Sequence, residues 1–158
     1  MRITEKFAVP TLCEAKDYGS AGIDFDSVNM GKVHSMSALI AFGALTGNSV
    51  LKVYCGATAG AKTTAIDFKY CVTGADFKAS GADVFGAATS VTGSSGLTLT
   101  AASFDHRTIA IDVQSDQVTA DKPFLTIEID ATATVLNVGA VGVCVARQHG
   151  ATNPTVLA

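Results

Sequence analysis

The stretch from Val53 to Thr64 reads VYCGATAGAKTT and stands one residue from the phosphate-binding pattern G-x-x-x-x-G-K-[ST]. Gly56, Lys62 and Thr63 fill their places, but Ala61 stands where the second glycine belongs. A phosphate loop needs that glycine because its backbone must approach the anion with no Cβ in the way. It also needs a helix whose first amides face the phosphates. The residues that follow, TAIDFKYCV, alternate as a strand does, so the stretch is read as a hairpin tip and no nucleotide is expected.

The other candidate groupings fare no better. Gly93–Gly96 (GSSG) imitates the G-x-S-x-G elbow without a strand that turns sharply into a helix. Phe104–Thr108 (FDHRT) sets Asp105 beside His106. Neighbours on a strand point to opposite faces, so Asp105 is not expected to orient that imidazole. His34 and His149 complete no triad by spacing. Asp24 and Asp26 have an i,i+2 spacing that can serve calcium, yet the further oxygens and closing glutamate of a calcium loop are missing. The four cysteines, Cys13, Cys55, Cys71 and Cys144, form no C-x-x-C pair and have no nearby histidine. They are read as buried thiols, with no zinc site and no disulfides. The expectation is a protein that is not an enzyme, with no catalytic residue, no cofactor and no metal ligand.

Composition narrows the class. With 158 residues the chain is expected to be one domain able to bury a core. Charged residues make up only 16%, the net charge is −3, and no basic run exists, so nucleic acid is not an expected partner. Alanine, glycine and threonine supply 58 of the 158 residues. Small side chains and few charges indicate a surface partly covered by neighbours. No signal-peptide pattern appears at the N-terminus. The longest apolar stretch, Val135–Ala146, is too short to span a bilayer, so no membrane is expected and synthesis in a cytoplasm is.

The elements that must carry these residues have period two. Ile66, Phe68, Tyr70 and Val72 share one face, as do Ile109, Ile111 and Val113, then Leu125, Ile127 and Ile129, and also Leu51, Val53 and Cys55. Met36–Gly43 and Thr134–Ala146 are apolar on both faces and read as central strands covered above and below. GIDFDSV is expected to form a short edge strand blunted by its aspartates. No helix is required, residues 12–18 and 75–88 being the weak candidates. Seven to nine strands with turn signals between them predict an all-β fold, an antiparallel β-sandwich or jelly-roll-like single domain with extended termini. The expected boundaries are an N-terminal arm over 1–20, the β-sandwich domain over 21–147 and a C-terminal tail over 148–158.

The order of features from Gly22 to Phe77, GIDFDSVNMGKVHSMSALIAFGALTGNSVLKVYCGATAGAKTTAIDFKYCVTGADF, resembles small virion proteins of tailed bacteriophages, of the capsid decoration or cement kind. The resemblance extends to the closing strand Val135–Ala146 and rests on pattern and turn placement. It implies a β-rich structural protein without enzyme activity that binds and stabilises the assembled capsid. The implied partner is the major capsid protein, the implied state a homo-oligomer, often a trimer, and the implied location the capsid exterior after synthesis in the bacterial host cytoplasm. The other role weighed is a neck, tail or receptor- or carbohydrate-binding β-sandwich of the particle. Shell contacts are expected from apolar residues of the two ends: Phe7, Val9 and Leu12, with Pro154, Val156 and Leu157.

Overall fold

The computed structural model describes residues 7–74, 76, 77, 79–81, 83–131 and 135–146. Strands account for 59% and helical turns for 8%, in two antiparallel sheets packed face to face, so the expected β-sandwich is the fold. The strands are β1 (Phe7–Ala8), β2 (Thr11–Asp17), β3 (Ile23–Asp24), β4 (Val28–Asn29), β5 (Val33–Thr46), β6 (Asn48–Gly56) and β7 (Thr64–Ala65). They continue with β8 (Phe68–Val72), β9 (Thr89–Val91), β10 (Leu97–Thr100), β11 (Thr108–Gln114), β12 (Phe124–Ala131) and β13 (Val135–Ala146). One short helix, α1 (Ala101–Phe104), and two 3-10 turns complete the described elements.

The large sheet runs β1-β13-β5-β11-β8-β9, with β2 also pairing β13. The small sheet runs β10-β6-β12-β3, with β4 on β12 and β7 on β6. From β5 onward the chain crosses between sheets at most turns, so apart from β6–β7 and β8–β9 each ladder joins strands that are not consecutive in sequence. Alternation then does the sorting. Met36, Ala38, Ile40 and Phe42 of β5 face inward, as do Ile109, Ile111 and Val113 of β11. Opposite them lie Leu51 and Val53 of β6 and Leu125, Ile127 and Ile129 of β12. Each of these side chains larger than alanine contributes about 1.5–3 kcal/mol on withdrawal from water, before the entropy of ordering is set against it.

Two expected boundaries move. Residues 7–17 were expected in an arm, yet β1 and β2 pair along the free edge of β13. They are strands because that edge would otherwise leave a row of backbone groups unpaired. Residue 147 and the expected tail, 148–158, lie outside the described residues. The run TAIDFKYCV is two strands rather than one: β7 belongs to the small sheet and β8 to the large, and the chain changes sheet at Ile66–Asp67. Ile66 and Phe68 both stay buried through that corner, which is why the alternation reads as unbroken. Neither weak helix candidate forms among the described residues, since Thr11–Asp17 is extended. No described helix is long and apolar enough to cross a membrane.

Candidate functional site

The lysine-bearing bend is the tip of the β6–β7 hairpin. Tyr54 pairs with Ala65 and Cys55 with Thr64, and the Thr63 amide donates to the Cys55 carbonyl at 3.2 Å. Gly56 is required there, because a Cβ would lie 2.3 Å from the Ala61 carbonyl oxygen. The tip curls over the outer side of the small sheet. The Gly60 amide donates to Ser27 Oγ at 2.8 Å, and Ser27 shares a 2.7 Å hydrogen bond with the fully buried Thr126. Lys62 Nζ is held by Asp24 at 3.0 Å and Glu128 at 2.5 Å, two residues paired across β3 and β12. The hydrogen bond to Glu128, helped by Asp24, raises the Lys62 pKa above its ordinary value. This ammonium ties a hairpin down, with a strand rather than a helix after it.

Asp105 and His106 stand just after α1, not within a strand. Asp105 accepts the Leu45 amide at 2.7 Å, and its other carboxylate oxygen lies 3.7 Å from His106 Nε2. Phe77 packs edge-on against the imidazole, with ring centroids 5.4 Å apart. His106 Nδ1 is shielded and without a hydrogen-bond partner among the described residues. Burial pushes the Cys13 and Cys144 thiols up to about 11, leaving both protonated at neutral pH. No group of three or more potential metal ligands occurs among the described residues. Asp17 is a structural carboxylate: the Leu136 and Gly19 amides, both at 2.9 Å, hold its pKa below the ordinary value and pin β2 to β13.

What remains as a site is a surface. The outward residues of the large sheet fall into rows set by the registers of β13, β5, β11 and β8. One row joins Val141, Leu39, Ala110 and Cys71. The row beyond it on one side holds Val143, Ser37, Asp112 and Lys69; on the other side it holds Gly139, Ala41 and Thr108. Toward Gly139 the surface sinks into a groove of about 840 Å³ lined mainly by small residues, including Ala15, Ala41, Gly43 and Gly139. The double-apolar pattern of β5 and β13 implied a cover on both sides. The structure supplies only the inner one: Val141 is 38% exposed, and Leu39 and Val143 are half-buried at a surface no described segment covers.

The six expected contact residues divide. Phe7 lies on this outer face beside its pair partner Val145, and Val9 is 44% exposed at the same edge. Leu12 is only 3% exposed and belongs to the core, so it cannot meet another molecule without unfolding. The cause is a bulge: Thr11 pairs Val141 and Cys13 pairs Ala140, leaving Leu12 as the extra residue, turned inward. Pro154, Val156 and Leu157 lie outside the described residues. Sequence reasoning missed the groove, although Gly139 of β13 and Gly43 of β5 were its signal.

Fold and surface together define an antiparallel β-sandwich with one sheet face that no described segment covers. No family model matches the chain, and no curated protein or solved structure matches it either.

Proposed function

We propose that this chain is a non-enzymatic virion structural protein that binds and stabilises an assembled phage capsid from outside, with the major capsid protein as its partner. It works in many copies as a homo-oligomer. The observation that carries this reading is the outer face of the large sheet, where Leu39, Val141 and Val143 lie beside a groove at a surface no described segment covers, as a protein shows when neighbours complete its burial. The bacteriophage resemblance of residues 22–77 supplies the particle. Avidity across many equivalent sites turns modest single contacts into stable decoration.

The test is the number of copies per purified particle together with the shell's resistance to breakage. Hundreds of copies and a shell that ruptures more easily without the protein are expected. A few copies at one vertex or along the tail would instead favour a neck, tail or receptor-binding role. Leu12 is a core residue, so the informative deletions are 1–6 and 147–158, which spare every described strand. Loss of occupancy after these deletions is expected if the ends contribute to binding, and unchanged occupancy after both removes them from the interface.

A further inference from the structure

β10 ends the small sheet, and on the side away from β6 it meets an open cleft of about 530 Å³. The cleft is lined from β8, β10 and α1 by Tyr70, Val72, Thr98, Thr100 and Ser103, and by Arg107 just beyond α1. We propose that it binds a small sugar acid, a hydroxylated ring bearing one carboxylate, with Arg107 as the group that receives the carboxylate. The site goes beyond the virion role and does not depend on it.

Arg107 is half-buried, and its one described side-chain contact is a long hydrogen bond from a guanidinium nitrogen to the Thr73 carbonyl at 3.4 Å. The described ion pairs belong to Lys16, Lys62 and His106. Asp105, two residues away, is occupied by the Leu45 amide and faces His106. A planar fork with unfilled donors matches a carboxylate through two parallel hydrogen bonds. Among the described lining residues Arg107 is the only charged one, so it balances one negative charge and not the two of a phosphate. The volume is that of a small-molecule cleft and exceeds the needs of a bare ion. Thr100 stands at the N-cap of α1 yet makes no side-chain capping bond, which leaves its hydroxyl to a ligand, as those of Thr98 and Ser103 are. Tyr70, with its ring 6.3 Å from that of Phe104, and the apolar Val72 and Leu97 suit the C–H face of a sugar ring. The backbone of Arg107 is fixed on both sides: its amide donates to the Phe104 carbonyl at 3.2 Å, and its carbonyl accepts the Phe42 amide at 2.9 Å. His106 enters this turn at φ 53, a left-handed conformation that non-glycine residues rarely adopt and that recurs at ligand sites.

The test is an amide NMR titration of the isotope-labelled full chain with glucuronate. Saturable shifts are expected at Val72, Thr100, Ser103 and Arg107, and none at the Lys62 hairpin. Glucose, which lacks the carboxylate, and benzoate, which lacks the hydroxyls, are each expected to bind about ten-fold more weakly or less. Arg107→Gln is expected to weaken glucuronate binding about ten-fold or more, and Tyr70→Phe about two-fold, with the dispersed spectrum of the fold retained. A glucuronate-containing disaccharide that binds more tightly than the free acid assigns a glycan as the source, and equal binding assigns the free acid; both support the site. Absence of saturable shifts, shifts away from the cleft, or glucose or benzoate binding as tightly as glucuronate overturns the proposal. Full affinity in Arg107→Gln overturns it as well. Should that variant unfold, the comparison of the three ligands on the parent chain still decides.

Discussion

On the outer side of the small sheet, Lys52, Tyr54 and Glu128 point outward, and the chain covers part of that surface itself with the hairpin tip at Gly60 and Lys62. On the outer side of the large sheet, Leu39, Val141 and Val143 point outward, and no described segment lies over them. Both faces come from the same alternation of side chains along extended backbone. One is finished by intramolecular hydrogen bonds and ion pairs, which need only the chain. The other is left without a cover among the described residues. A sandwich needs just one inner face per sheet to fold, so the second face of the large sheet is free to serve assembly.

The strongest way to break the contrast is to lift the cover of the small sheet. Gly56→Val forces a side chain against the Ala61 backbone and is expected to cost about 3 kcal/mol in urea unfolding. Ser27→Ala is next: it leaves Thr126 and the Gly60 amide short of a partner, with an expected loss of about 1–2 kcal/mol. Lys62→Met is smaller, about 0.5 kcal/mol, because the pair is partly solvated and screened by salt. Its pH dependence has a fixed sign. A lysine whose pKa is raised by folding stabilises the fold fully below its unfolded value, and this is lost as pH rises through the folded value. The gap between parent and variant is therefore flat near neutrality and closes above the ordinary lysine pKa of about 10.4.

The smallest effect belongs to the other face. Ala41→Ser, in the open groove, is expected to change monomer stability by less than about 0.5 kcal/mol, measured at a concentration low enough to keep copies apart. A thiol probe sharpens the same contrast. Cys71 sits half-buried on the outer face, whereas Cys13, Cys55 and Cys144 are buried. It should be alkylated first. Equal rates for all four thiols would contradict the described face.

The alternating segments were legible in the sequence because period two is a local property, readable residue by residue in TIAIDV or FLTIEID. The hairpin reading of Gly56–Thr63 was equally local, since the residues after Lys62 already alternate. The break at Ile66–Asp67 was not, because a strand that changes sheets keeps its inward face through the corner. Nor was the place of Leu12, since a bulge is created by the register of β2 against β13, more than a hundred residues away. Sequence alone thus determined the extended character of the chain, its inward-facing residues and the mismatch of its glycine–lysine bend with a phosphate loop. Tertiary structure decided which strands pair, that residues 7–17 close an edge, and that no described segment covers the second side of β5 and β13. The physical reason is range: alternation is set by neighbours along the chain, whereas cover over a sheet is set by whatever the rest of the fold leaves beside it.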